Sequence, residues 1–211
     1  MIQNRYSIRE EVANTVTHGA GILLSIVALA VLVAFSSLNS DVWHITSTSI
    51  YGATLILLYA ASSLYHGIPY SKAKQVLQKL DHAAIFLLIA GTYTPFVLVN
   101  LRGPWGWTLF GMVWGIAIFG MMLELVSSKR YKRLSISLYL GLGWLILIAI
   151  KPMLESVETG GLILLLIGGL CYSLGVIFYI WKRLAYNHAI WHLFVLAGSA
   201  LHFFSVLFYV I

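Results

Sequence analysis

His188 and His192 stand four residues apart, so a helix through them places two imidazoles on one face, one turn apart. Ser62 and His66 repeat that relation, and Glu11, Asn14 and His18 fall at i, i+3 and i+7 along a third stripe. Two imidazoles from one segment and a third from His66 suit a divalent metal ion, zinc first. Three protein ligands plus one water is the arrangement of an open, catalytic zinc site, whereas closed structural sites take four protein ligands, often with Cys. Asp81 is the leading candidate for a carboxylate that orients the metal's water and takes its proton. Ser62 would orient Asp81 or that water rather than attack, since no Ser-His-acid spacing is evident. Glu11, Asn14 and His18 are candidates for groups standing behind the ligands. Each residue has a plainer reading beside this one. An HxxxH spacing arises by chance, and histidines at a membrane interface bond backbone or headgroups. Asp81 can pair with Lys79 or cap its helix, and Ser62 can bond back to its own helix. His82 points about 100° away from Asp81 and reads as structural. Imidazole sites also take copper, nickel or iron.

The elements that must carry these residues are set by composition. With 60% hydrophobic residues, 9% charged residues and a mean hydropathy of +0.90, the 211-residue chain is too apolar for a soluble domain and belongs in a bilayer. A helix needs roughly 20 apolar residues to cross the hydrocarbon. Seven stretches approach that length, at about 15–35, 44–66, 81–100, 105–126, 134–152, 160–181 and 188–210. The fifth, closed by Lys151-Pro152, is the shortest and weakest. The expected fold is therefore an all-α seven-transmembrane helix bundle forming a single domain over residues 1–211. The first 14 residues lack the order of a cleavable signal peptide, so the first span is expected to stay in place. Cys171, the sole cysteine, falls within the sixth span and excludes an intrachain disulfide or a Cys-based metal site.

Basic residues give the orientation, because loops rich in Lys and Arg stay cytoplasmic. Arg5, Arg9, Lys72, Lys74, Lys79, Lys129, Arg130, Lys132, Arg133, Lys182 and Arg183 share one side, and only Arg102 and Lys151 lie opposite. The amino terminus is thus read as cytoplasmic and the carboxyl terminus as outside. Topology and anionic headgroups account for the net charge of +6 without a nucleic-acid partner. On this topology His18, His66, His82, His188 and His192 gather at the cytoplasmic ends of the spans, with Asp81, Glu11 and Asn14, and Glu124 arrives at the same level. His44 and Asp41 belong to the outer face. His202, ten residues beyond His192, lies about 15 Å farther along the helix axis. An ionisable group inside a membrane is expensive unless paired, solvated or metal-bound, so these side chains are expected to face the bundle interior. Pro95, in Thr94-Pro95-Phe96, is expected to kink the third span.

Glu11-x2-Asn14-x3-His18, Ser62-x3-His66, Lys79-Leu80-Asp81 and His188-x3-His192, in this order and at these helix ends, resemble the motifs of the progestin and adipoQ receptor (PAQR) superfamily, specifically its bacterial hemolysin III branch. The resemblance covers nearly the whole chain. It implies seven helices with the amino terminus inside, and zinc held by His66, His188 and His192 with Asp81 contacting its water. It also implies residence in the bacterial plasma membrane and membrane lipids as partners. By analogy with ceramidase-linked members, it points to hydrolysis of a lipid amide or ester. The alternative is a non-catalytic sensor or receptor of membrane lipid and energy homeostasis. A cytolytic protein, as the branch name suggests, is a third reading that suits a chain of seven apolar spans poorly.

Overall fold

The computed structural model describes residues 6–69, 72–126 and 132–211; Arg5, Lys129 and Arg130, counted above for orientation, lie outside them. Among the described residues there is no strand, and seven helical segments are long and apolar enough to cross a membrane. Helix α1 (Ile8–Asn39) opens on a capping box, in which Ser7 Oγ accepts from Glu10 N and Glu10 Oε2 accepts from Ser7 N. The box starts the helix seven residues before the expected edge at 15, and so brings Glu11, Asn14 and His18 onto one continuous helix. The signal, Ser7-x2-Glu10, is legible in the sequence.

Helix α2 (Val42–Gly67) is capped by Asp41, whose Oδ1 accepts from Trp43 N, His44 N and His44 Nδ1. That His44 contact, first among several, holds the exposed Asp41 carboxyl below its usual range. Arg102 stands 3.8 Å from Asp41 and over the Trp43 ring, completing an end cluster remote from the other histidines. Helix α3 (Lys72–Pro95) begins nine residues before Asp81, so Asp81 sits in the helix interior and caps nothing. Past Pro95 the chain continues as a π-helical turn over Phe96–Asn100, closed by Leu101 N donating to Phe96 O. Proline removes a helical donor, and the wider turn follows directly on that break in the helical ladder. Helix α4 (Pro104–Val126) starts with proline at its first position, after Gly103 at φ 133°.

The fifth span is longer and more irregular than expected, running to Ser156 rather than 152. It comprises α5 (Lys132–Gly143), a 3-10 turn (Leu145–Ala149) and α6 (Ile150–Ser156). A break at membrane depth strands backbone groups that no water can satisfy. Tyr93 from α3 fills it. Its hydroxyl accepts from Ile146 N at 2.9 Å and faces Leu142 O at 2.9 Å and Gly143 O at 3.0 Å, to one of which it donates. Helices α7 (Thr159–Ile180) and α8 (Asn187–Tyr209) complete the bundle, within a residue or two of the expected edges.

Helix α1 packs against α2 and α8, α2 against α3, α3 against α4, and α7 against α8. Glycines let backbones approach at these seams: a Cβ on Gly106 would stand 2.1 Å from Val97 O, where α4 crosses the π-helical turn. Tyr51, Tyr59, Phe86 and Leu109 are fully buried among the helices, while leucines, isoleucines and phenylalanines cover the outside. That is the distribution expected where lipid replaces water.

Candidate metal centre

Two helices deliver the histidines. Near the end of α2 lies His66, and the first two turns of α8 carry His188 and His192; all three are buried. Helix α8 is set by the α7–α8 turn, where Tyr186 takes a left-handed φ of 56° and donates its N–H to Glu10 Oε1 of α1 at 3.2 Å. Asn187 Nδ2 donates to Phe178 O at 2.8 Å, closing the same turn.

Ligand nitrogens of His66, His188 and His192 all lie within 4.8 Å of one another, so the three residues could hold a metal ion. His66 Nε2 and His188 Nε2 are 3.1 Å apart. Two imidazole nitrogens bound tetrahedrally to one zinc, each about 2.0–2.1 Å from it, would stand about 3.3 Å apart. The hydrogen bonds behind the rings decide which nitrogens are bare. His66 Nδ1 lies 2.6 Å from Glu11 Oε2, and only as an N–H donor can it make that contact. The Asn14 amide, 3.4 Å from the same nitrogen, is the weaker neighbour. His192 Nδ1 lies 3.2 Å from Asn14 O and 3.0 Å from Thr17 Oγ1. The Thr17 hydroxyl spends its own proton on the carbonyls of Ala13 and Asn14, so here too the ring donates. Both rings are thereby fixed with the proton on Nδ1 and a lone pair on Nε2. His192 Nε2 is buried with no hydrogen-bond partner among the described residues. Such an orphan is costly in an apolar interior and is relieved by a cation.

Glu11 and Asn14 thus contact the outer nitrogens of the His66 and His192 rings. His18 sits differently. It stacks on His192 with ring centroids 3.4 Å apart and meets Tyr59 edge-on, but neither of its nitrogens hydrogen-bonds a ligand histidine. Ser62 is fully buried one turn before His66, and its Oγ makes no hydrogen bond among the described residues. It therefore neither bonds back to its helix nor orients Asp81. Glu124 does not join the cluster; it accepts a hydrogen bond from Ser135 and fastens α4 to α5. His82 is buried, its carbonyl accepting from Tyr139, and His202 bonds Leu165 O deeper in the bundle. Thr17, Lys74 and Tyr6 escaped the reading of the sequence, although Thr17 follows Asn14 at i+3. Tyr6 packs its ring 5.1 Å from that of His188.

Asp81 is 3% exposed and is not among the converging ligands. It lines a cavity of about 150 Å³ together with His18 and Trp191, whose indole contacts both His188 and His192. The remaining walls are almost wholly apolar, from α3, α5, α7 and α8. A second cavity of about 340 Å³ shares Tyr93, Trp144 and His202 with the first and continues toward Leu154 and Thr159.

A bundle of seven spans with this histidine cluster narrows the field, and comparison with known proteins settles the lineage. The sequence profile of the family described as Haemolysin-III related matches residues 6–203. This chain belongs to that family. It is 49% identical over 204 residues to the Hemolysin-3 homolog of Bacillus subtilis (strain 168), covering 97% of this chain and 96% of that protein. Identity to the Hemolysin-3 of Bacillus cereus is 48% over 204 residues, covering 97% and 93%. The human Monocyte to macrophage differentiation factor, a PAQR relative, is 30% identical over 203 residues, covering 93% and 83%. The protein is accordingly an integral membrane protein of the bacterial hemolysin III type.

Proposed function

We propose that this hemolysin III-type protein is a zinc-dependent hydrolase of a membrane-lipid amide or ester. The observation that carries the reading is the convergence of three buried imidazoles, two with their Nε2 lone pairs fixed by hydrogen bonds, beside an apolar cavity that holds a carboxylate. Histidine nitrogens alone, with no thiolate and no fourth protein ligand in the converging set, fit zinc in an open coordination. Zinc, when bound there, supplies a Lewis acid and lowers the pKa of a water toward about 7.

The rest is the work of the chain. His66, His188 and His192 would hold the ion. Glu11, with Asn14 O and Thr17, keeps the Nδ1 protons in place and so directs Nε2 inward. Asp81 on the cavity wall accepts a proton from the attacking water and returns it to the leaving amine or alcohol. Leu88, Ile89 and Val195 line an apolar sleeve for an acyl chain and exclude bulk water from the carbonyl. Ser62, one turn from His66, is available to hydrogen-bond the substrate or water, since its hydroxyl makes no bond within the protein.

The test is to incubate purified protein with ceramides and other acyl lipids and follow fatty-acid release, with Asp81→Asn alongside. The expected result is release by the wild type, none by Asp81→Asn, and equal zinc in both. Equal turnover in the two proteins would remove Asp81 from its role.

A further inference from the structure

Lys74 is a lysine buried to 8% exposure near the start of α3, although its flanking lysines mark it as an ordinary loop charge. Lysine is almost never fully buried unless paired. Its Nζ lies 2.9 Å from Glu11 Oε1, while the other oxygen of that carboxylate, Oε2, accepts the Nδ1 proton of His66. The same ammonium donates to Ile68 O at 3.1 Å. Ile68 is the C-cap of α2, two residues after His66, and its carbonyl is one that a helix end leaves without a partner. The ammonium also stands 5.2 Å from the ring of Tyr65. A single cation thus holds the carboxylate behind His66 and closes the end of the helix that carries His66.

We propose that Lys74 is a positioning residue for the metal centre, acting through Glu11 on the His66 ring. The inference rests on the reading of His66, His188 and His192 as metal ligands. Without the lysine, the Glu11 carboxylate loses its counter-charge and one of its two anchors, and is free to turn toward the solvent that reaches 20% of its side chain. The His66 ring then loses the partner that fixes its tautomer and direction, and groups of this kind commonly alter metal affinity by 10–100-fold.

The experiment compares zinc affinity by competition with a chromophoric chelator in detergent-purified wild type, Lys74→Met, Lys74→Arg, Glu11→Ala and the Lys74→Met/Glu11→Ala pair. His188→Ala serves as the control. Cobalt(II) spectra of the same proteins report the ligand field directly. Lys74→Met should weaken binding about tenfold and shift the cobalt bands, and Lys74→Arg should restore most of both. In the Glu11→Ala background, Lys74→Met should cost nothing further. Wild-type affinity and spectrum in Lys74→Met would overturn the proposal, as would an undiminished effect in the Glu11→Ala background. His188→Ala binding zinc as well as wild type would instead remove the metal-site reading itself.

Discussion

Replacing Glu11 tests the centre most directly without touching a ligand. The carboxylate accepts a hydrogen bond from His66 Nδ1 at 2.6 Å and from the Lys74 ammonium at 2.9 Å, with 20% of its side chain exposed. Removal of a group behind a metal-bound imidazole costs about 10–100-fold in affinity, or about 1.4–2.7 kcal/mol. Two features separate the variants within that range. The contact is short and charge-assisted, and losing it leaves a buried ammonium without its counter-charge near a site that must accept a cation. Glu11→Ala removes both hydrogen bonds and the charge, so its affinity for zinc should fall about 100-fold. Glu11→Gln keeps a carbonyl oxygen to accept from Nδ1 and loses only the charge, so its loss should be about tenfold. Chelator competition on detergent-purified protein, with folding checked by thermal melts, measures both. Glu11→Ala binding zinc within about twofold of wild type would refute the argument that Glu11 sets the His66 ring for the metal.

Other substitutions probe different links. His188→Ala should lose bound zinc on elemental analysis while His202→Ala keeps it, because His202 bonds Leu165 O and stands about 15 Å farther along α8. Gly106→Ala should lower thermal stability by about 1–3 kcal/mol, since its Cβ would meet backbone oxygens of Val97 and Leu101. Gly111→Ala, with open space around the added carbon inside the same helix, should melt no lower than wild type. Proteoliposomes carrying the purified protein should retain a trapped fluorescent dye as well as empty vesicles do. Rapid dye release would favour the cytolytic reading over the hydrolase.

Much of the centre was legible because its residues are spaced by helical geometry. His188-x3-His192 and Glu11-x2-Asn14-x3-His18 each lie on a single helix, so the 3.6-residue repeat alone puts them on one face. What escaped was decided by residues distant in sequence. Lys74 meets Glu11 across 63 positions with no local pattern to announce it, and Thr17, although at i+3 from Asn14, reaches His192 across 175. Glu124 shows the converse: reaching the right membrane depth did not bring it to the histidines, because α4 packs on α3 and turns that carboxylate toward Ser135 of α5.

The sequence by itself determined that the chain crosses a membrane seven times, since hydrocarbon demands long apolar helices and the apolar runs record them. It also determined which faces of those helices carry the histidines, and its basic residues indicate the orientation. Only the tertiary structure decided that Tyr93 repairs the broken fifth span, that Lys74 joins Glu11 behind His66, and that Asp81 faces an apolar cavity. Those outcomes depend on how α1, α2, α3 and α8 rotate and lean against one another. In a bundle where every helix is apolar on most of its surface, that is set by close packing of particular side chains and not by the hydropathy pattern.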